Sequence, residues 1–407
     1  MTHKQIINTL NNDVKVMGLV GMAHAGSHFS QMMLAPLFPL FMQTFDLSFS
    51  QIGFLVSVLY AVSSLGQASS GFAVDRLGAR PVLLASFVLF MAAALLTAFA
   101  NNYSTLVVVM VLIGMGNAPF HPADFTIMNQ RVSEPRLGYA YSVHGVTGNL
   151  GWALAPVFFV GITALSDWRM AYLCAAGLYG LILLVLLIHR DKIATTVVRS
   201  HPGSQLSTDK PVSDFAFLQL PVVWWCFGFF MFATMTLAVI QSFSVSILQK
   251  LQSVTLYEAN TVLTAYMLCA AVGMLVGGWV AARFPKISDR VVARAMTTAA
   301  ALLVLAATGW LGSFGTCALI ASTGFAIGVG GPSRDMMIKK ATPMGATGRV
   351  YGLVYSGMDV GFAIAPLLFG MMMDKGWYAA TLVGAGATLM IAVGLAIGVG
   401  KRTDATR

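Results

Sequence analysis

Gly71-Phe72-Ala73-Val74-Asp75-Arg76-Leu77-Gly78-Ala79-Arg80-Pro81 is a dense polar turn set between two long apolar runs. Residues 50–74 and 81–100 on either side of it are each long enough to cross a hydrocarbon core as a helix, which takes about 20 apolar residues. A chain in lipid must satisfy its own backbone hydrogen bonds, so the turn is a short connection at one membrane face. Within it Gly71 lets two helices approach closely, and Asp75 suits a helix N-terminus. Arg76 and Arg80 suit acids or lipid headgroups on the same side.

Composition reaches the same class by another route. With 57% hydrophobic and only 10% charged residues, the chain reads as a polytopic membrane protein whose solvent is the bilayer. Cys174, Cys226, Cys269 and Cys317 all fall inside apolar segments without metal-ligand spacing, so no disulfide is expected. The first apolar run carries two histidines and has no small-residue cleavage site, so it stays as a span and is not a removed signal.

Apolar runs broken by Pro, Gly and charge predict twelve spans: 18–43, 50–74, 81–100, 105–128, 138–162, 169–189, 222–248, 257–281, 291–311, 314–338, 349–371 and 377–400. The fold class expected is all-α, with twelve transmembrane helices in two pseudo-symmetric six-helix bundles. Residues 1–189 form the first bundle, 190–220 a cytoplasmic linker containing Pro202, Gly203 and Pro211, and 221–407 the second bundle. With both termini in the cytoplasm, 20 of the 24 Lys and Arg fall on the cytoplasmic side. Only Arg169, Lys250 and Lys375 fall opposite, and Arg334 lies inside a span. This bias sets orientation and accounts for the net charge of +9 without a nucleic-acid partner.

An internal repeat supports the division. A shift of 210 residues superposes Gly114 on Gly324, Pro122 on Pro332, Tyr141 on Tyr351, Gly151 on Gly361, and Ala155-Pro156 on Ala365-Pro366. A shift of 207 places Gly71 on Gly278 and Arg76 on Arg283, with Ala282 where the first copy has Asp75.

The spacing Gly-x3-Asp-Arg-x-Gly-x-Arg over residues 71–80 resembles the loop between the second and third helices of the major facilitator superfamily. That resemblance implies parallel six-helix repeats, a solute site between them near the bilayer midplane, and alternating access. It also implies a multi-pass protein of the cell inner membrane, with the loop residues Gly71, Asp75, Arg76, Gly78 and Arg80 acting in gating.

The chemistry must lie in the few polar groups within spans, because each costs several kcal/mol in hydrocarbon unless it meets a partner or a cavity. In the first span His24, His28 and Gln31 follow i, i+4 and i+7 and share one face. They read either as a solute site with proton traffic or as imidazoles bonded to neighbouring carbonyls that hold the bundle together. In the fourth span Asn117, His121 and Asp124 repeat that spacing around Pro122, which loosens the helix and frees a carbonyl. Asp124 suits a proton relay, or a gate paired with its repeat equivalent Arg334.

The fifth span supplies His144, Gly148, Asn149 and Trp152, and the eleventh supplies Tyr355 and Asp359, the equivalent of Asn149. Asp359 lies halfway along its span and is the leading proton-coupling candidate, with His121 and Asp124 beside it in that role. The alternative is that Asp359 pairs with a histidine and locks the fold. Gln241 and Tyr266 add hydrogen-bonding candidates from the later spans, or else bond to adjacent helices.

Within the superfamily the chain resembles the fosmidomycin-resistance branch of exporters. His24 with Gln31 and Pro39, Phe120-His121-Pro122, and Gly148-Asn149-Leu150-Gly151 with Pro156 carry that likeness. It departs from the branch where Ala123 separates His121-Pro122 from the acid, and it has Met110 where many proton antiporters place an arginine. The glycine-rich runs at 324–331 and 384–400 lie in apolar spans and read as packing surfaces. No G-x4-G-K-[ST] phosphate loop occurs, so an ion gradient is the expected energy source and no cofactor is expected.

The chain is therefore read as a non-enzymatic, monomeric, proton-coupled carrier of a small polar or anionic solute, with export favoured. Proton-linked uptake of an organic carboxylate is the alternative. The substrate-binding candidates are His24, His28, Gln31, Asn117, His121, Asn149, Trp152, Gln241, Tyr266 and Tyr355. The expected partners are the solute, protons and the bilayer.

Overall fold

The structure is a computed structural model, and it describes residues 3–133, 136–196, 220–341 and 347–405. Among these no strand occurs. Fourteen α-helices follow in chain order. The first eight are α1 (His3–Gln31), α2 (Phe38–Phe45), α3 (Phe49–Leu77), α4 (Ala79–Ala98), α5 (Tyr103–Asn117), α6 (Phe120–Arg131), α7 (Leu137–Leu165) and α8 (Trp168–Ile188). The remaining six are α9 (Pro221–Gln252), α10 (Leu256–Arg283), α11 (Ser288–Thr308), α12 (Gly312–Ala341), α13 (Thr347–Asp374) and α14 (Tyr378–Ala405). Among the described residues, eleven segments are long and apolar enough to cross a membrane, and large apolar side chains such as Leu165 and Phe314 face outward. This is the surface of a multi-pass membrane protein. All four cysteines are free thiols.

Two of the expected spans are broken helices. The run 18–43 divides into α1 and α2 around a 3-10 turn at Ala35–Leu37, where Pro36 and Pro39 interrupt the backbone ladder. α1 also begins well before residue 18, and its apolar part is interrupted by His24, Ser27, His28, Ser30 and Gln31. The fourth span breaks between α5 and α6. Pro122 has no N–H to give the carbonyl of Ala118, and Ser70 of α3 donates to that carbonyl at 3.3 Å instead.

The quoted turn is shorter than any loop. α3 ends at Leu77, Gly78 takes φ +82°, which only glycine adopts without strain, and α4 begins at Ala79. Gly71 differs from its expected role among the described residues: a side chain there would meet open space, so no described helix packs on it. Arg76 is exposed, and neither it nor Arg80 enters an ion pair with a described residue. The side chain of Asp75 and linker residues 197–219 lie outside the described residues.

The chain divides into two compact units, residues 1–198 with 255–267, and residues 199–254 with 268–407. In the first, α1 packs on α7, and α4 packs on both α5 and α8. In the second, α9 packs on α13, and α11 packs on both α12 and α14. The same helix pairings thus recur at equivalent places. Gly151 and Gly361, one repeat apart, show why: a Cβ at either would collide with a facing backbone carbonyl, that of Ala25 on α1 or Met231 on α9.

Candidate functional site

The polar face of α1 meets the broken fourth span inside the first unit. Asn117, at the end of α5, is the hub. Its amide oxygen accepts from Ser27 Oγ at 2.7 Å and from Gln31 Nε2 at 2.8 Å. Its amide nitrogen donates to Ser63 Oγ of α3 at 2.8 Å. Gln31 Oε1 in turn accepts from Trp152 Nε1 at 3.0 Å and from Tyr60 OH at 3.4 Å. Each of these five hydrogen bonds joins two different helices.

Trp152 carries the network to a histidine cluster. Its ring lies 4.2 Å from that of His28, which lies 4.4 Å from His24. His24 stacks on His144 with centroids 3.5 Å apart. Both of these converge on one carboxylate oxygen: His144 Nε2 lies 3.1 Å and His24 Nδ1 3.3 Å from Asp124 Oδ2. The His144 contact is a hydrogen bond, whereas His24 Nδ1 is close without bonding geometry. Asp124 Oδ1 and His28 Nδ1 are buried without a hydrogen-bond partner. His121 is the exposed member, 5.8 Å from the ring of His24 and 6.2 Å from that of His144.

Local sequence explains this convergence. His24, His28 and Gln31 stand on one face of α1, and Gly148 of α7 faces them, where a Cβ would sit 2.9 Å from His28 Cε1 and 3.0 Å from His24 Nε2. Glycine at 148 is what leaves room for two imidazoles between α1 and α7. The break before α6 sets Asp124 toward them, fully buried. Asn149 donates to the carbonyl of Gly145 in its own helix.

In the second unit Arg334 and Tyr355 share a third residue. The Arg334 guanidinium lies 4.9 Å above the Phe230 ring, and the Tyr355 ring lies 5.0 Å from it. Asp359 stands one turn beyond Tyr355, near the middle of α13, and enters none of the ion pairs among the described residues. Gln241 is buried with Nε2 unbonded, as is Tyr266 in the first unit with its OH unbonded, so neither group is bonded to an adjacent described helix.

One ion pair serves structure. Asp13 on α1 accepts from Arg136 Nη1 at 2.8 Å and from the hydroxyl of Ser133. Burial pushes the Asp13 carboxyl up, but the bonds from Ser133 and Arg136 together outweigh it and hold the group below its ordinary value. A cavity of about 560 Å³ lies beside it. The cavity's charged side chains are already engaged, Lys192 with Asn12 Oδ1 at 2.9 Å and Arg131 with the carbonyl of Ala194, so it reads as a clasp.

Sequence reasoning gave His144 no role, and it missed Tyr60, Ser63 and Phe230. For His144 a signal existed, since it shares the i, i+4, i+8 face of Gly148 and Trp152. Phe230 is one of 26 phenylalanines and carried none.

The model of the Major Facilitator Superfamily matches residues 20–293 and 231–406. Over 264 residues, 65% of this chain and 64% of the relative, the sequence is 23% identical to the fosmidomycin resistance protein of Escherichia coli (strain K12). Over 147 residues, 36% of the chain and 35% of the relative, it is 31% identical to the uncharacterized MFS-type transporter YfnC of Bacillus subtilis (strain 168). The chain thus spans less than two thirds of the length of either relative. A solved structure of a bacterial homolog to the human lysosomal transporter Spinster, inward-facing and unoccupied, superposes with a TM-score of 0.75 at 14% identity, covering 96% of this chain and 97% of that one.

Proposed function

The chain belongs to the Major Facilitator Superfamily, and from that premise we propose that it is a secondary active transporter of a small polar or anionic solute, coupled to protons and working as an exporter. The observation that carries this reading is the connected polar network of the first unit. It draws on α1, α3, α5, α6 and α7, and it runs from Asp124 through the histidines to Trp152, Gln31 and Asn117. Apolar spans keep such a network at a cost of several kcal/mol per group, and solute traffic is the return that justifies it. His24, His28, Gln31, Asn117, His121, Asn149 and Trp152 are the proposed solute contacts in this unit. Gln241, Tyr266 and Tyr355 are the further ones, Gln241 and Tyr266 each keeping a buried donor without a partner.

Four imidazoles and the guanidinium of Arg334 favour an anion over a lipophilic cation. Asp359 is the proposed proton carrier, because a mid-helix carboxyl outside any described ion pair is placed to gain and lose a proton. His121 and Asp124 sit in the first unit's network, and Arg334 with the Gly71–Arg80 loop is assigned to gating. Lys and Arg placement supports an inner-membrane protein with both termini in the cytoplasm. Uptake of an organic carboxylate is the second reading, supported by the same cationic groups. The relative named for fosmidomycin resistance weighs toward export.

A thermal-shift screen of organic acids and phosphonates against the purified protein tests the solute class, because a ligand bound to the folded state raises its apparent stability. A shift that Gln31→Ala and Trp152→Phe each diminish is expected. No shift from any anion would overturn the anionic reading. In proteoliposomes, flux of the solute found in that screen should stop when a protonophore collapses the gradient, and flux indifferent to the protonophore would contradict coupling.

A further inference from the structure

We infer that His24, Asp124 and His144 form a binding site for one divalent transition-metal ion. Each ligand comes from a different helix: α1, α6 and α7 respectively. Their donor atoms, His24 Nδ1, Asp124 Oδ2 and His144 Nε2, all lie within 4.8 Å of one another, with the two imidazole nitrogens 3.3 and 3.1 Å from the oxygen. Bonds of about 2.0–2.1 Å in a tetrahedral centre set neighbouring donors about 3.4 Å apart, so small side-chain adjustments bring these three around a common ion.

The donor set selects the class of ion. Two imidazoles and one carboxylate suit Zn²⁺, Co²⁺ or Ni²⁺, whereas Mg²⁺ and Ca²⁺ require a shell of oxygens that a single carboxylate does not supply. The side chains of His24, Asp124 and His144 are 4%, 0% and 8% exposed, so the donors are held from three sides with little competition from water. His121, on the exposed side of the cluster, offers a third imidazole as a fourth donor.

The unmatched atoms point the same way. Asp124 is a fully buried carboxylate with a single hydrogen bond, from His144, while its Oδ1 and the facing His24 Nδ1 have no partner. Buried polar atoms are seldom left so, and a cation between these donors gives His24 Nδ1 a partner and neutralises the buried Asp124 carboxylate. The competing account is an ion pair in which one protonated histidine ties α1, α6 and α7 together; that account predicts no affinity for metals.

The inference stands apart from the direction and coupling of transport, because its test reads binding alone. The full chain is purified with His3, His189 and His201, the histidines outside the cluster, replaced by alanine. It is titrated with Co²⁺, followed by visible d–d absorption, and with Zn²⁺, followed by calorimetry. One ion per chain with the spectrum of a four- or five-coordinate centre is expected, with at least about tenfold weaker binding in His144→Ala and in Asp124→Asn. Absence of binding by the folded protein, or unchanged affinity in both variants, overturns the site. Should those variants fail to fold, X-ray absorption at the zinc edge decides on the unsubstituted cluster. Two or more imidazoles with an oxygen donor support the site, and a shell containing sulfur or only oxygen rules it out.

Discussion

Asn117 shares the centre of the network with Gln31, because each makes three hydrogen bonds to three different residues, and Asn117 accepts two of its own and donates the third. Its replacement by Leu strands Ser27, Gln31 and Ser63 together. Leaving buried donors unmatched costs about 1–3 kcal/mol, so Asn117→Leu should lower the unfolding midpoint in detergent and weaken solute-induced shifts. An unchanged midpoint would mean that water takes over these bonds. The stripe of His24, His28 and Gln31 was readable in the sequence because a helix periodicity places them together whatever the tertiary packing. Which histidine meets Asp124 was not readable, since it depends on how α1, α6 and α7 cross. The answer was His24, a hundred residues away, together with His144 from the next helix.

α1 and α7 can pack closely enough to bring the cluster together only because α7 offers glycine at 148 and 151. Gly151→Ala must push against the Ala25 backbone, and Gly361→Ala against Met231 in the equivalent pair, so each should cost about 1–3 kcal/mol as overpacking does. Gly161→Ala on the same helix meets open space and should leave thermal stability unchanged or slightly raised. Equal behaviour of all three in thermal inactivation would refute the close packing.

The Asp13 clasp joins α1 to the segment after α6, and it adds a pH dependence. Its folded-state pKa is depressed, so its contribution is complete above the unfolded carboxylate range near about 4 and is lost as pH falls through the lower folded value. The stability difference between the unsubstituted protein and Asp13→Asn should therefore be constant near neutrality, on the order of 2 kcal/mol. It should shrink only in acid; a difference that grew on acidification would contradict the assignment. Element boundaries illustrate the limits of hydropathy. The first span was expected as one helix over 18–43, but paired prolines at 36 and 39 divide it, and the helix reaches back into polar sequence that hydropathy alone ends too early.

Across the two units, the repeat seen in sequence as matched glycines and prolines reappears as matched helix pairings, with α1 on α7 and α9 on α13. That much was legible because a backbone collision at Gly151 or Gly361 leaves a sequence signature. Phe230, which gathers Arg334 and Tyr355, was not, because an aromatic platform looks like any lipid-facing phenylalanine until its neighbours are known. The repeat also exposes where the units differ, with a histidine-rich network in one and, in the other, Asp359 where the first has Asn149. The proposed coupling draws on both units, the polar network of the first and the Asp359 carboxyl of the second. The measurement that tests this most directly uses the purified protein in liposomes with an internal pH-sensitive dye. Adding the solute should move protons in the unsubstituted protein, and Asp359→Asn should abolish that movement while solute-induced thermal shifts persist. Undiminished proton movement in Asp359→Asn would contradict the account.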